Sequence, residues 1–258
     1  IDELITVWGF DIPLEHTAAG ERLHARSQAV AAELGRGFVP VATNMRLTRW
    51  RAVSWEFLGY GPALAAVALA LEPRYRTVFI SGGGGYRDLH PSGSHPLIDP
   101  LFSTGALNIV HDGAAFTRVE KTRLLIEHDV ALRSLRVCWR SRSDENCGAC
   151  KKCYRAMLML ELLGALARCT TFPARALDVR QVARMYCSVP WDFRELRDIC
   201  ALAEATGRHD IARATERAMR GSRALARRLH HLRILRRSAR TWRWAAQLES
   251  RLLQGWIV

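Results

Sequence analysis

Four cysteines, Cys138, Cys147, Cys150 and Cys153, fall within sixteen residues at the spacing C-x8-C-x2-C-x2-C. A thiolate is a soft, anionic ligand, and four of them at tetrahedral spacing suit Zn²⁺. The C-x2-C step turns the chain back so that successive sulfurs meet one ion. Gly148, between the second and third cysteines, permits the positive φ that such a turn often needs. The apolar run Tyr154 to Leu166 reads as a helix, which puts the last ligand near a helix start, where the dipole favours a thiolate. With all four positions filled by protein, the ion is structural and not catalytic. Two other readings compete. Disulfides are disfavoured by the expected cytoplasmic location, since no secretory signal is visible. Unrelated core thiols rarely cluster so tightly; Cys169, Cys187 and Cys200, in apolar helical surroundings, do read as core thiols.

Further polar chemistry gathers upstream. Segment 87–117 is polar, rich in Gly and Pro, and too long for an ordinary connection, which marks a functional loop. It carries His90, His95, Asp99, His111 and Asp112. The histidines are candidates for substrate binding, and the aspartates for substrate or Mg²⁺. Singly, each is more often a loop hydrogen-bonder than a catalyst. Together, beside the glycine-rich turn Ser81-Gly82-Gly83-Gly84-Gly85, they are the best substrate-side candidates. That turn either lets backbone pass close to a ligand or is a plain flexible connection.

These residues need elements to hold them. Leu4 to Phe10 reads as a buried strand, Ala18 to Leu34 as a helix stopped by Gly35 and Gly37, and Phe38 to Ala42 as a second strand interrupted by Pro40. Trp55 to Leu71 is a very apolar helix closed by Pro73, Thr77 to Ile80 a third strand, and Leu107 to Val110 a further one. This rhythm predicts a parallel sheet with helices on its faces, whose functional residues lie at the strands' carboxyl ends. Those ends are Gly9-Phe10-Asp11, Thr43-Asn44-Met45-Arg46 and Ser81 to Gly85. Thr117 to His128 reads as a helix capped by Thr117, with Glu120 three residues on. After Ala167, the stretches 178–204 and 211–252 carry arginine-rich helical patterns.

A sheet, a lysine-bearing helix (Arg118-Val119-Glu120-Lys121) and then C…CGxCxxC opening an apolar helix resemble the PP-loop ATP pyrophosphatases, nearest the 7-cyano-7-deazaguanine synthases. The resemblance spans about residues 4–167 and is strongest at the cysteines. It implies a Rossmann-like α/β fold of the adenine nucleotide alpha hydrolase type, with a four-cysteine zinc site and a C-terminal helical extension. It implies ATP with Mg²⁺, and a small carboxylate whose oxygen attacks the α-phosphate before an amine or ammonia displaces AMP. Lys121 matches the family's phosphate-contacting lysine, with Arg118 and Asp99 as further catalytic candidates. A solvated helix lysine is the bland alternative. Gly9, Phe10 and Asp11 fall where the family recognises adenine. Asn44, Arg46, Ser81, Gly82 and Gly83 are the other cofactor-side candidates, and His95, His111 and Asp112 the substrate-side ones. One departure is serious: no Ser-Gly-Gly-x-Asp-Ser loop precedes Leu4. A first β-α unit is therefore expected to be missing and the 258-residue chain to be inactive. The domains expected are 1–137 for nucleotide, 138–170 for zinc and 171–258 for the helical region.

Composition bounds the partners. The chain is 49% hydrophobic, with no apolar run of membrane-spanning length. The net charge is +13; of 38 basic residues only three are lysine, so arginine dominates. From Arg208 to Arg243 stand twelve arginines against Asp210 and Glu216. Arg220, Arg223, Arg227, Arg233, Arg236, Arg237 and Arg240 recur at helical spacing. A solvated face is the favoured reading, and tRNA or another polyanion the runner-up partner. Base recognition lacks an aromatic platform before Trp242 and Trp244. A non-catalytic, zinc-stabilised domain is the remaining alternative.

Overall fold

The computed structural model describes residues 1–173, 176–235, 248–249, 251–254 and 256–257. The chain divides into two compact units, Ile1–Ser134 with Ser141–Asp144, and Leu135–Arg140 with Glu145–Val258. The four cysteines and the C-terminal helices thus share one unit. Both units together are mixed α/β, with short parallel strand pairs.

In the first unit, β1 (Glu3–Trp8) and β2 (Gly37–Ala42) pair in parallel, from Glu3 opposite Gly37 to Trp8 opposite Ala42. Parallel neighbours need a crossover, and α1 (Thr17–Glu33) supplies it. The helix lies close against Trp8: a Cβ on Gly20 would stand 2.1 Å from the indole. Gly35, at φ +63°, turns the chain out of α1 toward β2. Pro40 is tolerated because β2 lies at the edge of its pair. The helix expected over 55–71 begins as a π-turn, Trp55–Gly59, and continues as α2 (Tyr60–Ala70). Small residues on α2 pack Ala65 and Ala68 against Ile80, Leu107 and Ile109. The last three belong to or flank β3 (Thr77–Ser81) and β4 (Asn108–Asp112), a second parallel pair.

The strand rhythm predicts one sheet; the strands instead form two pairs, and no ladder joins β1 to β3 among the described residues. Side chains connect them. The Glu3 carboxylate accepts from Arg74 Nε at 2.8 Å and from the Tyr75 hydroxyl, just ahead of β3. All of β1 is only half-buried, and Phe79 in β3 is 51% exposed. Neither strand has the burial of an interior parallel strand.

Past β4, Thr117 caps α3 (Arg118–Leu125) as its sequence predicts. Its hydroxyl accepts from Glu120 N at 3.2 Å, and the Glu120 carboxylate accepts from Thr117 N at 2.7 Å. After α4 (Asp129–Ser134), the excursion 141–144 belongs to this same unit. Asp144, 1% exposed, accepts from Arg22 Nε at 3.0 Å and Arg26 Nη2 at 2.8 Å.

The second unit is built on helices. α5 (Lys151–Leu162) starts before the expected Tyr154 and stops before Leu166. It stops because Gly164, at φ +68°, closes a Schellman motif: Gly164 N donates to Glu161 O, and Ala165 N to Leu160 O at 2.7 Å. Met157, Leu158 and Leu160 are all buried, so α5 runs through the core. The stretch 178–204 is not one helix. α6 (Val179–Val182) ends early, and Pro190 opens α7 (Pro190–Ala205) at a position where its missing N–H costs nothing. Between them, Tyr186 N donates to Ile257 O at 2.9 Å. Gly207 closes α7 in the same way as Gly164, and α8 (His209–Leu235) follows. Its Ile211, Ala212, Thr215, Ala218, Ser222, Leu225 and Leu229 face inward. No helix among the described residues is long and apolar enough to cross a membrane.

Candidate metal centre and strand-end site

The four sulfurs of Cys138, Cys147, Cys150 and Cys153 lie within 4.8 Å of one another. Cys138 and Cys150 are 3.9 Å apart, Cys147 and Cys153 3.8 Å, and Cys150 and Cys153 3.5 Å. A disulfide needs about 2.05 Å. Four thiolates at about 2.3 Å from one tetrahedral ion stand about 3.8 Å apart. The spacing therefore matches the edges of a tetrahedron and no covalent bridge, and none of the four cysteines is in a disulfide.

The backbone builds this arrangement locally. Gly148 takes φ +65°, and the tight turn lets Ala149 N and Cys150 N donate to Cys147 Sγ at 3.4 and 3.3 Å. Such amide donors favour the thiolate. Cys150 caps α5 and Cys153 lies in its first turn. Interaction with Cys153 pulls the Cys150 thiol down to about 4, while the same interaction drives Cys153 up. Burial raises Cys147, with the two amides opposing. One negative charge is thus easily held and further ones are not, which is the condition a divalent cation relieves.

Asn146 supports the centre. It is 4% exposed; its carbonyl accepts from Val137 N and Cys138 N at 2.9 and 3.1 Å, and its amide donates to Leu135 O at 2.8 Å. Sequence reading missed it, although its place directly before Cys147 was a usable signal. Behind α5, buried Asp192 accepts from Lys151 Nζ at 2.9 Å and Arg155 Nη1 at 3.0 Å. No sequence pattern announced that network.

In the first unit, the strand ends gather the other candidates in two groups. Gly9, at φ +107°, has no room for a side chain: a Cβ would stand 1.9 Å from Thr43 O. Arg46 Nη1 donates to Phe10 O at 3.0 Å, and the Arg46 guanidinium sits 4.4 Å over Trp55, whose ring lies 5.1 Å from Phe10. Trp55 was not singled out by its sequence. Asn44 directly precedes a short 3₁₀ turn, Met45–Leu47, with no side-chain capping bond, and Asp11 is exposed ahead of the buried Ile12.

The second group lies at the ends of β3 and β4. Gly82 N donates to Asp112 O at 2.8 Å, and Lys121 Nζ donates to Gly82 O at 2.8 Å. Burial, and then Arg118, lower the Lys121 pKa, with Asp112 opposing. Arg118 Nη2 comes within 3.6 Å of the place a Gly83 Cβ would occupy. Ser81, Gly82, Gly83, Asp112, Arg118 and Lys121 are therefore neighbours. Beside them, Asp99 is fully buried. Its Oδ1 accepts from His95 N at 3.1 Å, and its Oδ2 meets Ser94 Oγ at 2.5 Å and His111 Nδ1 at 2.7 Å. Ser94 was not a sequence candidate, and a lone loop serine carries no signal. A small cleft opens here, lined by Gly84, Gly85, His90, Ser92, His95 and His111 among others.

No protein-family model, curated protein or solved structure matches the chain. Fold and geometry define a mixed α/β protein with a four-cysteine centre able to hold a metal ion such as zinc.

Proposed function

We propose that the chain carries the nucleotide- and zinc-binding part of a PP-loop-type, ATP-dependent, AMP-forming ligase, with a structural Zn²⁺ on its four cysteines. The observation that carries the reading is Lys121, a half-buried ammonium resting on Gly82 O beside Arg118 and a run of glycines at two parallel strand ends. Glycine backbone can approach phosphate closely, and two cations neutralise its charge. Gly9, Phe10 and Arg46, at the other pair's ends, supply the adenine side.

In this mechanism Lys121 and Arg118 hold the phosphates while a small carboxylate attacks the α-phosphorus, forming an acyl adenylate and releasing pyrophosphate. An amine or ammonia then attacks the acyl carbon and AMP leaves. Catalysis is positioning and charge neutralisation, and Mg²⁺ accompanies the nucleotide. Calorimetric titration with Mg·ATP tests the reading. Binding is expected, and it should weaken at least about tenfold, on the order of 1.4 kcal/mol, in Lys121→Ala. ATP binding that is absent, or indifferent to Lys121 and Arg118, would overturn it.

A second reading, attachment to tRNA phosphates, rests on α8, where Arg213, Arg217, Arg220, Arg223 and Arg227 are all exposed. Arg220 already pairs with Glu216 at 3.2 Å, and Arg223 stacks 5.3 Å over Phe193, which favours a solvated face. Arg236, Arg237, Arg240, Trp242 and Trp244 lie outside the described residues, and the Arg233 side chain is likewise not described. Steep salt dependence of tRNA binding would favour this second reading.

A further inference from the structure

We infer that Asp99 and His111 form a proton-accepting dyad on the cavity beside the glycine turn, serving a small ligand that carries an N–H or O–H group. The two side chains are 0% and 2% exposed, and His111 Nδ1 lies 2.7 Å from Asp99 Oδ2. An ionised carboxylate only accepts, so Nδ1 carries the imidazole proton and Nε2 is left with a lone pair. Ser94 Oγ donates to the same carboxylate oxygen, and His95 N holds the other, so Asp99 cannot turn away from the ring. His111 Nε2 itself is buried and has no hydrogen-bond partner.

A buried polar atom without a partner asks for an explanation, and a ligand donor supplies one. Gly82 packs close against this atom: a Cβ on residue 82 would stand 2.3 Å from Nε2, so only glycine fits there. The neighbouring cleft offers polar groups beside Leu89 and Pro96: Ser92 Oγ lies 2.8 Å from Tyr60 Oη, and His90 and His95 also line it.

The step balances simply. The nucleophile's N–H or O–H proton passes to Nε2 as its N or O bonds to an electrophilic carbon, and the bond from that carbon to its leaving group breaks with its electron pair. Asp99 stabilises the imidazolium, which later releases the proton to water. Under the proposed function the electrophile is the acyl adenylate and the leaving group AMP, but the dyad's geometry does not depend on that.

The test uses the full chain without ATP, so its failure leaves the nucleotide reading standing, and failure of ATP binding leaves the dyad standing. Long-range ¹H–¹⁵N correlation of the histidine rings near neutral pH should show His111 with its proton on Nδ1, opposite to the tautomer that free imidazole side chains prefer. Diethyl pyrocarbonate, followed by peptide mapping, should modify His111 at Nε2. Asp99→Asn should slow this several-fold, and Gly82→Ala should block it, while His90 reacts unchanged. A proton found on Nε2, or a His111 that stays unmodified while His90 reacts, would overturn the inference. Should either variant fail to fold, the two wild-type measurements decide it.

Discussion

Replacing Asp192 with alanine probes the network that seats the metal-bearing helix. Asp192 is 3% exposed and accepts from Lys151 Nζ, Ser188 N and Ser188 Oγ on one oxygen and from Arg155 Nη1 on the other, at 2.9 to 3.1 Å. Removing one partner of a buried ion pair costs about 3–5 kcal/mol. Two features discount that figure here. Lys151 is 23% exposed and can turn to water, and Arg155 keeps Glu195. A loss of about 2–3 kcal/mol remains, or roughly 5–10 °C in the melting temperature of a chain this size. Lys151 also follows Cys150 directly, so zinc should pass to a chelator faster in the variant.

The pH dependence has a definite sign. Burial alone would raise the Asp192 carboxyl, but Lys151, Arg155 and Ser188 N outweigh it and hold the pKa below its ordinary 3.8. A depressed acid stabilises the fold above its unfolded pKa and loses that contribution as pH falls through the folded one. The gap between wild type and Asp192→Ala, read by thermal melts, should be full at neutral pH and close below about pH 3.8. A melting temperature lowered by less than about 2 °C, or a gap unchanged in acid, would refute the reasoning.

Three other substitutions have stated outcomes. Thr117→Ala removes the hydroxyl half of the capping box on α3, leaving Glu120 on the backbone N–H of residue 117, and should cost about 1 kcal/mol in denaturant titration. Gly20→Ala puts a methyl 2.1 Å from the Trp8 indole, so it should cost at least about 1–3 kcal/mol and shift tryptophan emission. Asn146→Ala withdraws the group that holds Cys138 N, and should lower zinc affinity about 10–100-fold in competition with a chromogenic chelator.

The sequence made some features readable because their causes are local. The C-x2-C spacing, Gly148 and the Thr117–Glu120 box each fix their geometry within a few residues, and the structure shows the four sulfurs together, the positive φ and both capping bonds. Parallel strands joined by α1 followed from hydrophobic rhythm. What the rhythm left out is long-range. Whether β1 and β3 share a ladder depends on tertiary packing, and neither strand's pattern encodes that. Asp99, an apparent loop carboxylate, lies buried because Ser94 and His111, five and twelve residues away, meet it. Asp192 and Lys151, forty-one residues apart, were equally invisible as a pair.

The metal content of purified protein tests the central claim most directly. Elemental analysis, paired with native mass spectrometry, should find one Zn²⁺ per chain, lost together with folding of the second unit when a strong chelator removes it. Alanine at Cys150 should abolish both. Protein that folds with no zinc, or a Cys150→Ala chain that melts like the wild type, would contradict the account.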